Sequence, residues 1–244
     1  MPVGIIINSL AILLGGITGG LFGDYLKEDL KENLNLIFGL AALGMGISAI
    51  ANMVNMPAVI FALVLGTVLG LIFKVQKGID RAAGWMEKGL SRLLPNQDLG
   101  LSHEEFNAQL LTIIVLFCAS GTGIYGSLES GMTGDASILI SKSILDFFTA
   151  MIFACSLGYI VSMIAIPQFL LFFLLFLSAN LILPLTTPSM IGDFKACGGF
   201  LMLASGFRIM KLRDFPVADM IPAMILVMPI SWVWTSWIQP LIGM

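Results

Sequence analysis

Charge is what this sequence has least of. Charged residues make up 11% of its 244 positions, where soluble domains carry about a quarter. Apolar residues reach 58% and the mean hydropathy is +0.98. That balance excludes a soluble globular domain and leaves a polytopic, all-helical membrane protein. Histidine occurs once, as His103 in a polar stretch, so a Ser/His pair inside the membrane is excluded. The three cysteines (Cys118, Cys155, Cys197) all sit in apolar runs and read as free thiols packed like small hydrophobes, not as disulfides or metal ligands. There is no GxxxxGK loop for nucleotide phosphates, no HExxH and no GxSxG elbow. GMTGD (131–135) is similar to the glycine-aspartate motif of intramembrane aspartyl proteases, but its spacing is wrong and it falls in a loop. No enzyme, cofactor, metal or nucleic-acid partner is expected. The first apolar run lacks a basic leader and outruns a signal-peptide core, so it reads as a retained span.

What is there is a series of apolar runs. About 20 such residues cross a core of roughly 30 Å as a helix. Eight spans follow, at 3–23, 34–53, 57–73, 109–125, 137–162, 167–185, 189–207 and 215–241, in one transmembrane domain over 1–244. Ten of the twelve Lys and Arg fall in the links after spans 1, 3 and 7: Lys27, Lys31, Lys74, Lys77, Arg81, Lys88, Arg92, Arg208, Lys211 and Arg213. The positive-inside rule makes that side cytoplasmic and puts both termini outside. Trp232, Trp234 and Trp237 suit an aromatic belt at the outer end of span 8.

Between spans 3 and 4, residues 78–94 carry Ile79, Ala83, Met86, Leu90 and Leu94 on one helical face. Asp80, Arg81, Glu87, Lys88 and Arg92 lie elsewhere. This is an amphipathic helix, lying on the inner membrane surface or serving as a connector with a solvated face. Pro95 and Asn96 stop it, and Ser102 to Glu105 form a capping box for the next helix. At an offset of 160 residues, LNLIFGLAALGMGISA (34–49) lies over FKACGGFLMLASGFRI (194–209), matching Gly39 to Gly199, Leu43 to Leu203 and Gly46 to Gly206. Spans 2 and 7 run in opposite directions, so a repeat of spans 1–3 in spans 6–8 would be inverted, a recurrent transporter plan.

Span 1 holds Gly15, Gly16, Gly19, Gly20 and Gly23, and span 3 holds Gly66 and Gly70. Such small-residue stripes let helices approach closely, either in a homodimer seam or within one bundle. Pro222 and Pro229 interrupt span 8. Gly121, Gly123 and Gly126 weaken the outer end of span 4, where Thr122, Ser127 and Glu129 could offer oxygens to a cation, or where the chain simply packs and turns. Phe-rich span 6 reads as a lipid-facing or packing helix. Asn8 and Asn180 are polar exceptions in spans 1 and 6.

Span 5 carries the strongest chemical signal. Lys142 and Asp146 are one turn apart, share a face and can pair. A charge at the helix centre costs about 2.5–3.5 kcal/mol on insertion scales, which confines it to a bundle interior or wet cavity. Lysine can reach outward to water, whereas aspartate near the midplane cannot. Asp146 is therefore expected to face span 4, with Lys142 paired to it or to Glu129. The pair either binds a small solute or ion or acts as a static clamp.

The order GIIIN, LLGGITGGLFG, FGLAALGMGISAI and FCASGTGIYGSLESGMTGD…KSILDFFTAMIFACSLG resembles one bacterial family along nearly the whole chain, the YqgA/YdfK-like integral membrane proteins grouped as a domain of unknown function. The central block carries the match, through Gly126, Ser127, Gly131, Gly134, Asp135, Lys142, Ser143, Asp146 and Gly158. Ser130 stands where an acidic residue is expected, leaving Glu129 alone. The resemblance implies a multi-pass protein of the bacterial inner membrane and no particular activity. The expectation is a secondary transporter or ion-conducting protein with its site at Lys142, Asp146, Thr122, Ser127, Glu129, Asn8 and Asn180. The rival is a membrane scaffold or regulatory subunit.

Overall fold

The computed structural model describes residues 1–22, 28–93 and 103–241, and among these the chain forms helices joined by short links. The order is α1 (Val3–Phe22), α2 (Glu28–Ile50), α3 (Met56–Phe73), α4 (Val75–Leu93), α5 (His103–Cys118), α6 (Gly121–Thr133), α7 (Ser137–Leu157), α8 (Ile160–Met163), α9 (Ala165–Ile182), α10 (Pro188–Ile209), α11 (Val217–Val233) and α12 (Gln239–Leu241). A 3₁₀ turn at Leu183–Leu185 and a π turn at Trp234–Ile238 fall between them. Gly23, Lys27, Leu94, Pro95, Asn96 and Ser102 lie outside the described residues, as do the side chains of Lys31, Arg92 and His103.

Seven stretches among the described residues are long and apolar enough to cross a membrane: Val3–Phe22, Glu32–Ile50, Met56–Phe73, Gln109–Thr133, Ser137–Leu157, Ile160–Leu185 and Val217–Leu241. These match seven of the eight expected spans. The remaining one, at 189–207, is α10, a helix of 22 residues that is less apolar because Asp193 and Lys195 lie within it. Two expected boundaries also shift. The 137–162 span ends at Leu157, where Gly158 takes a positive φ of 67° that favours glycine, and α8 starts the next crossing. The 109–125 span runs on to Thr133 but is broken into α5 and α6.

The chain falls into two compact units, Met1–Ile37 with Lys77–Asn180, and Phe38–Gln76 with Leu181–Met244. In both, many large apolar side chains point outward and small ones line the close helix contacts, because lipid tails solvate Leu as well as a core does. On α3, for example, Ile60, Phe61, Val64 and Val68 are exposed while Ala58, Ala62, Gly66 and Gly70 are buried. On α9, Ile166, Leu170, Leu174, Leu177 and Leu181 form an outer stripe, with Gln168, Phe172 and Ala179 within.

In the first unit, α1 runs parallel to α7 at close range. A Cβ at Gly15 would run into the Phe147 carbonyl oxygen, and one at Gly19 into that of Met151. Gly16 and Gly20 meet Ser162 and the Tyr159 ring. The glycine stripe of span 1 is thus taken up inside the chain, which is the bundle-packing alternative. On α4, Ala83, Met86 and Leu90 belong to a core with Phe106, Leu110 and Ile113 of α5, and Lys77, Arg81 and Lys88 are exposed, as a connector with a solvated face would have them.

In the second unit, α2 and α10 cross antiparallel through glycines. Gly39 abuts the Gly206 carbonyl and Gly206 that of Gly39, while Gly46 and Gly199 face each other in the same reciprocal way. Likewise α3 and α11 are antiparallel, with Gly66 against Ala223 and Gly70 against the Asp219 carbonyl.

Candidate functional site

The first unit gathers five polar side chains from three helices. Asp146 and Lys142 lie one turn apart on α7. The Lys142 Nζ donates to both carboxylate oxygens of Asp146, at 2.7 and 2.6 Å. From α1, the Asn8 amide Nδ2 donates to Asp146 Oδ2 at 2.8 Å. From α9, Gln168 Nε2 donates to Asn8 Oδ1 at 2.6 Å, and Ser9 Oγ closes the chain by donating to Gln168 Oε1 at 2.6 Å. Asn8 and Gln168 are wholly buried, and Lys142 and Asp146 are 4% and 6% exposed.

The direction of these bonds carries the electrostatics. Every donor in the series points along it toward the Asp146 carboxylate, which only accepts. Charge-assisted hydrogen bonds of this kind are roughly twice as strong as neutral ones. Desolvating two ions is costly, and removing one partner leaves an uncompensated buried charge.

A discontinuity in the crossing Gln109–Thr133 lies beside this pair. α5 ends at Cys118, and Ser120 takes an extended conformation (φ −71°, ψ 135°) to start α6. Its Oγ accepts from Gly123 N at 3.1 Å, an N-cap that replaces one missing helical bond. The Lys142 Nζ sits 6.0 Å from the centre of the Phe117 ring, one residue before the end of α5. A cation is favoured at a helix C-terminus, where carbonyl oxygens lack intrahelical partners. The break comes earlier than expected, and the glycines after it are helical. Gly123 admits the Phe172 ring and Gly131 the Phe176 carbonyl, so glycine here serves close packing and not unwinding.

The expected site residues divide accordingly. Lys142, Asp146 and Asn8 are joined directly. Thr122, Ser127 and Glu129 are buried on α6, where Ser127 Oγ donates to its own helix at Gly123 O (2.7 Å) and Glu129 is hydrogen-bonded by Tyr125. Lys142 pairs with Asp146, and Asp146 accepts from Asn8 of α1 while the pair lies beside the end of α5. Asn180 is exposed and donates to Phe176 O at 3.0 Å, far along α9 from Gln168 and apart from the network.

Sequence reading missed Gln168 and Ser9, whose roles arise only from helix packing. It also missed two buried aspartates of the second unit. Asp193 on α10 accepts from Val54 N (2.9 Å), Asn55 N (2.7 Å), Asn55 Nδ2 (2.8 Å) and Ser231 Oγ (2.6 Å). It thereby caps the start of α3 from another helix. Asp219 on α11 accepts from Gln76 N at 3.0 Å and does the same for α4. Their signal was the one that singled out Asp146, an acid within an apolar run. Among the described residues, no three His, Cys, Asp or Glu side chains are grouped to hold a metal ion.

Comparison with known proteins places this geometry in a family. No solved structure matches the chain. Over 237 residues it is 49% identical to the uncharacterized protein YqgA of Escherichia coli (strain K12), covering 97% of this chain and 99% of that one. Over 229 residues it is 26% identical to the uncharacterized membrane protein YdfK of Bacillus subtilis (strain 168), covering 91% and 93%. Residues 3–232 match the model of the protein family of unknown function DUF554. With residues 3–232 matched by the family's model and 97% of its length aligned to YqgA, the chain belongs to the DUF554 family.

Proposed function

We propose that this protein is a secondary transporter or ion-conducting protein for a small solute or ion, without enzymatic activity, and that Lys142 and Asp146 form its site. The observation that carries this reading is a buried ion pair set beside a broken membrane-crossing helix. Transporters place substrate and coupling-ion sites at discontinuous helices, where half-helix ends supply partial charges. Here the Lys142 ammonium fills the place beside Asp146 that a transported cation or proton could take, and Asn8 and Gln168 can reorient as the carboxylate changes partner.

The helix order fits the internal repeat we infer, and such a repeat supports the same reading. The 160-residue offset carries α1, α2 and α3 onto 163–182, 188–210 and 216–233. α9, α10 and α11 occupy Ala165–Ile182, Pro188–Ile209 and Val217–Val233. Each unit holds matching members of both halves: α1 with α9 in the first, and α2 and α3 with α10 and α11 in the second. The reciprocal glycine contacts of α2 and α10 are those of two antiparallel copies about a two-fold axis, and Asn8 bonds Gln168, its counterpart at that offset. We therefore count α10 as an eighth span, lying along the apolar α2, with both termini outside a bacterial inner membrane.

Proteoliposomes holding pH- and cation-sensitive dyes test the function. The native protein should dissipate an imposed proton or sodium gradient, and Asp146→Asn should not, while eluting as a folded species. A second reading, a static scaffold, is favoured by the Asp193 cluster, where a buried acid holds helices together. Absence of any flux through the native protein would establish the scaffold, and flux unchanged in Asp146→Asn would remove the ion pair from the transport site.

A further inference from the structure

The helix α4 is divided by charge sign as well as by polarity. Its apolar residues Ala83, Met86 and Leu90 are held in the core of the first unit, with Glu87 buried and Asp80 half-buried toward that side. Lys77, Arg81 and Lys88 are all exposed on the opposite side. At 100° per residue these three cations fall within roughly 40° of one another, and Trp85 lies beside them. Trp85 is 72% exposed, the most exposed tryptophan among the described residues. Neither stripe needs the other to fold, because the apolar face is already covered.

Chain connection fixes the level at which this stripe lies. α4 begins two residues after Phe73, the last residue of a lipid-exposed crossing and itself 75% exposed. Its inner face belongs to the same apolar core as Phe106 and Leu110, beside the start of the next crossing at Gln109. The start of α4, with Lys77 and Arg81, is therefore tied to the edge of the apolar zone.

We propose that Lys77, Arg81, Lys88 and Trp85 form a binding strip for the headgroups of anionic phospholipids. Each cation near an anionic membrane surface favours the charged lipid by about fivefold. Tryptophan prefers this depth because its ring is apolar and its indole N–H finds a polar partner. The strip requires only that the protein sits in a bilayer, so it stands independently of transport.

The test uses the full-length protein with Trp232, Trp234 and Trp237 changed to Phe, in nanodiscs of mixed phosphatidylglycerol and phosphatidylcholine. In one preparation the phosphatidylglycerol carries acyl-chain bromine, in the other the phosphatidylcholine. Brominated phosphatidylglycerol should quench Trp85 several-fold more strongly, and high salt or the triple variant Lys77→Gln, Arg81→Gln, Lys88→Gln should remove the difference. Equal quenching by the two lipids, or a preference that survives the triple variant, overturns the proposal. Should the tryptophan variant fail to fold, native mass spectrometry of the unmodified protein decides. Retention of phosphatidylglycerol over phosphatidylcholine that falls in the triple variant supports the strip, and equal retention of the two lipids refutes it.

Discussion

At the scale of single residues, Lys142 and Asp146 form a buried ion pair held by two hydrogen bonds. Lys142→Met leaves Asp146 buried with only Asn8 as a donor, and breaking such a pair costs about 3–5 kcal/mol. The double variant Lys142→Met, Asp146→Leu removes both charges and should recover most of that loss. Unfolding in detergent, followed by intrinsic fluorescence, would check the cycle, and simple additivity of the two losses would contradict the coupling. The glycines allow a sharper contrast. Gly15 faces the Phe147 backbone, whereas a Cβ at Gly44 would meet nothing within 4 Å. Gly15→Leu should destabilise by more than the roughly 1–3 kcal/mol of ordinary overpacking. Gly44→Leu should leave the unfolding midpoint nearly unchanged. The pair on α7 was legible in the sequence because charge in an apolar run is rare. Its partners were not: nothing local distinguishes Gln168 from any other polar residue near a helix start until α1 and α9 are packed together.

At the scale of elements, one helix here is often capped by another. Asn55, at the N-cap of α3, makes no side-chain cap bond of its own, and Asp193 supplies the acceptor for two backbone N–H groups. Asp193→Ala should orphan both, at roughly 1–3 kcal/mol for each buried donor left unpaired. Hydrogen exchange should then quicken at the start of α3 before it does in α7, and uniform loss of protection would argue against a local cap. Hydropathy marked the crossings well because length and apolarity are local properties. It failed at the break between α5 and α6 for a physical reason. Gly123 and Gly126 read as helix breakers in isolation, but their lack of side chains is used to seat Phe172, Ile138 and Leu139. The amphipathic pattern of α4 was also legible, while its burial against α5 was not, since lipid and protein both accept an apolar face.

At the scale of the whole molecule, topology is the quantity still open to direct measurement. Lys88 on α4 and Ser137 at the start of α7 are both exposed, and the crossing Gln109–Thr133 separates them. With the three native cysteines changed to alanine, a cysteine at Ser137 should react with an impermeant maleimide on intact cells. One at Lys88 should react only after permeabilisation. The opposite pattern would invert the orientation. Because the cation and anion of α7 lie on the same helix, the segment can leave the translocon already neutralised. Its more distant partner, Gln168, is synthesised later and need not be present for α7 to enter lipid. Biogenesis can thus proceed helix by helix, with the Asn8 and Gln168 bonds added as the bundle assembles, so loss of either amide should spare insertion and affect only the assembled state.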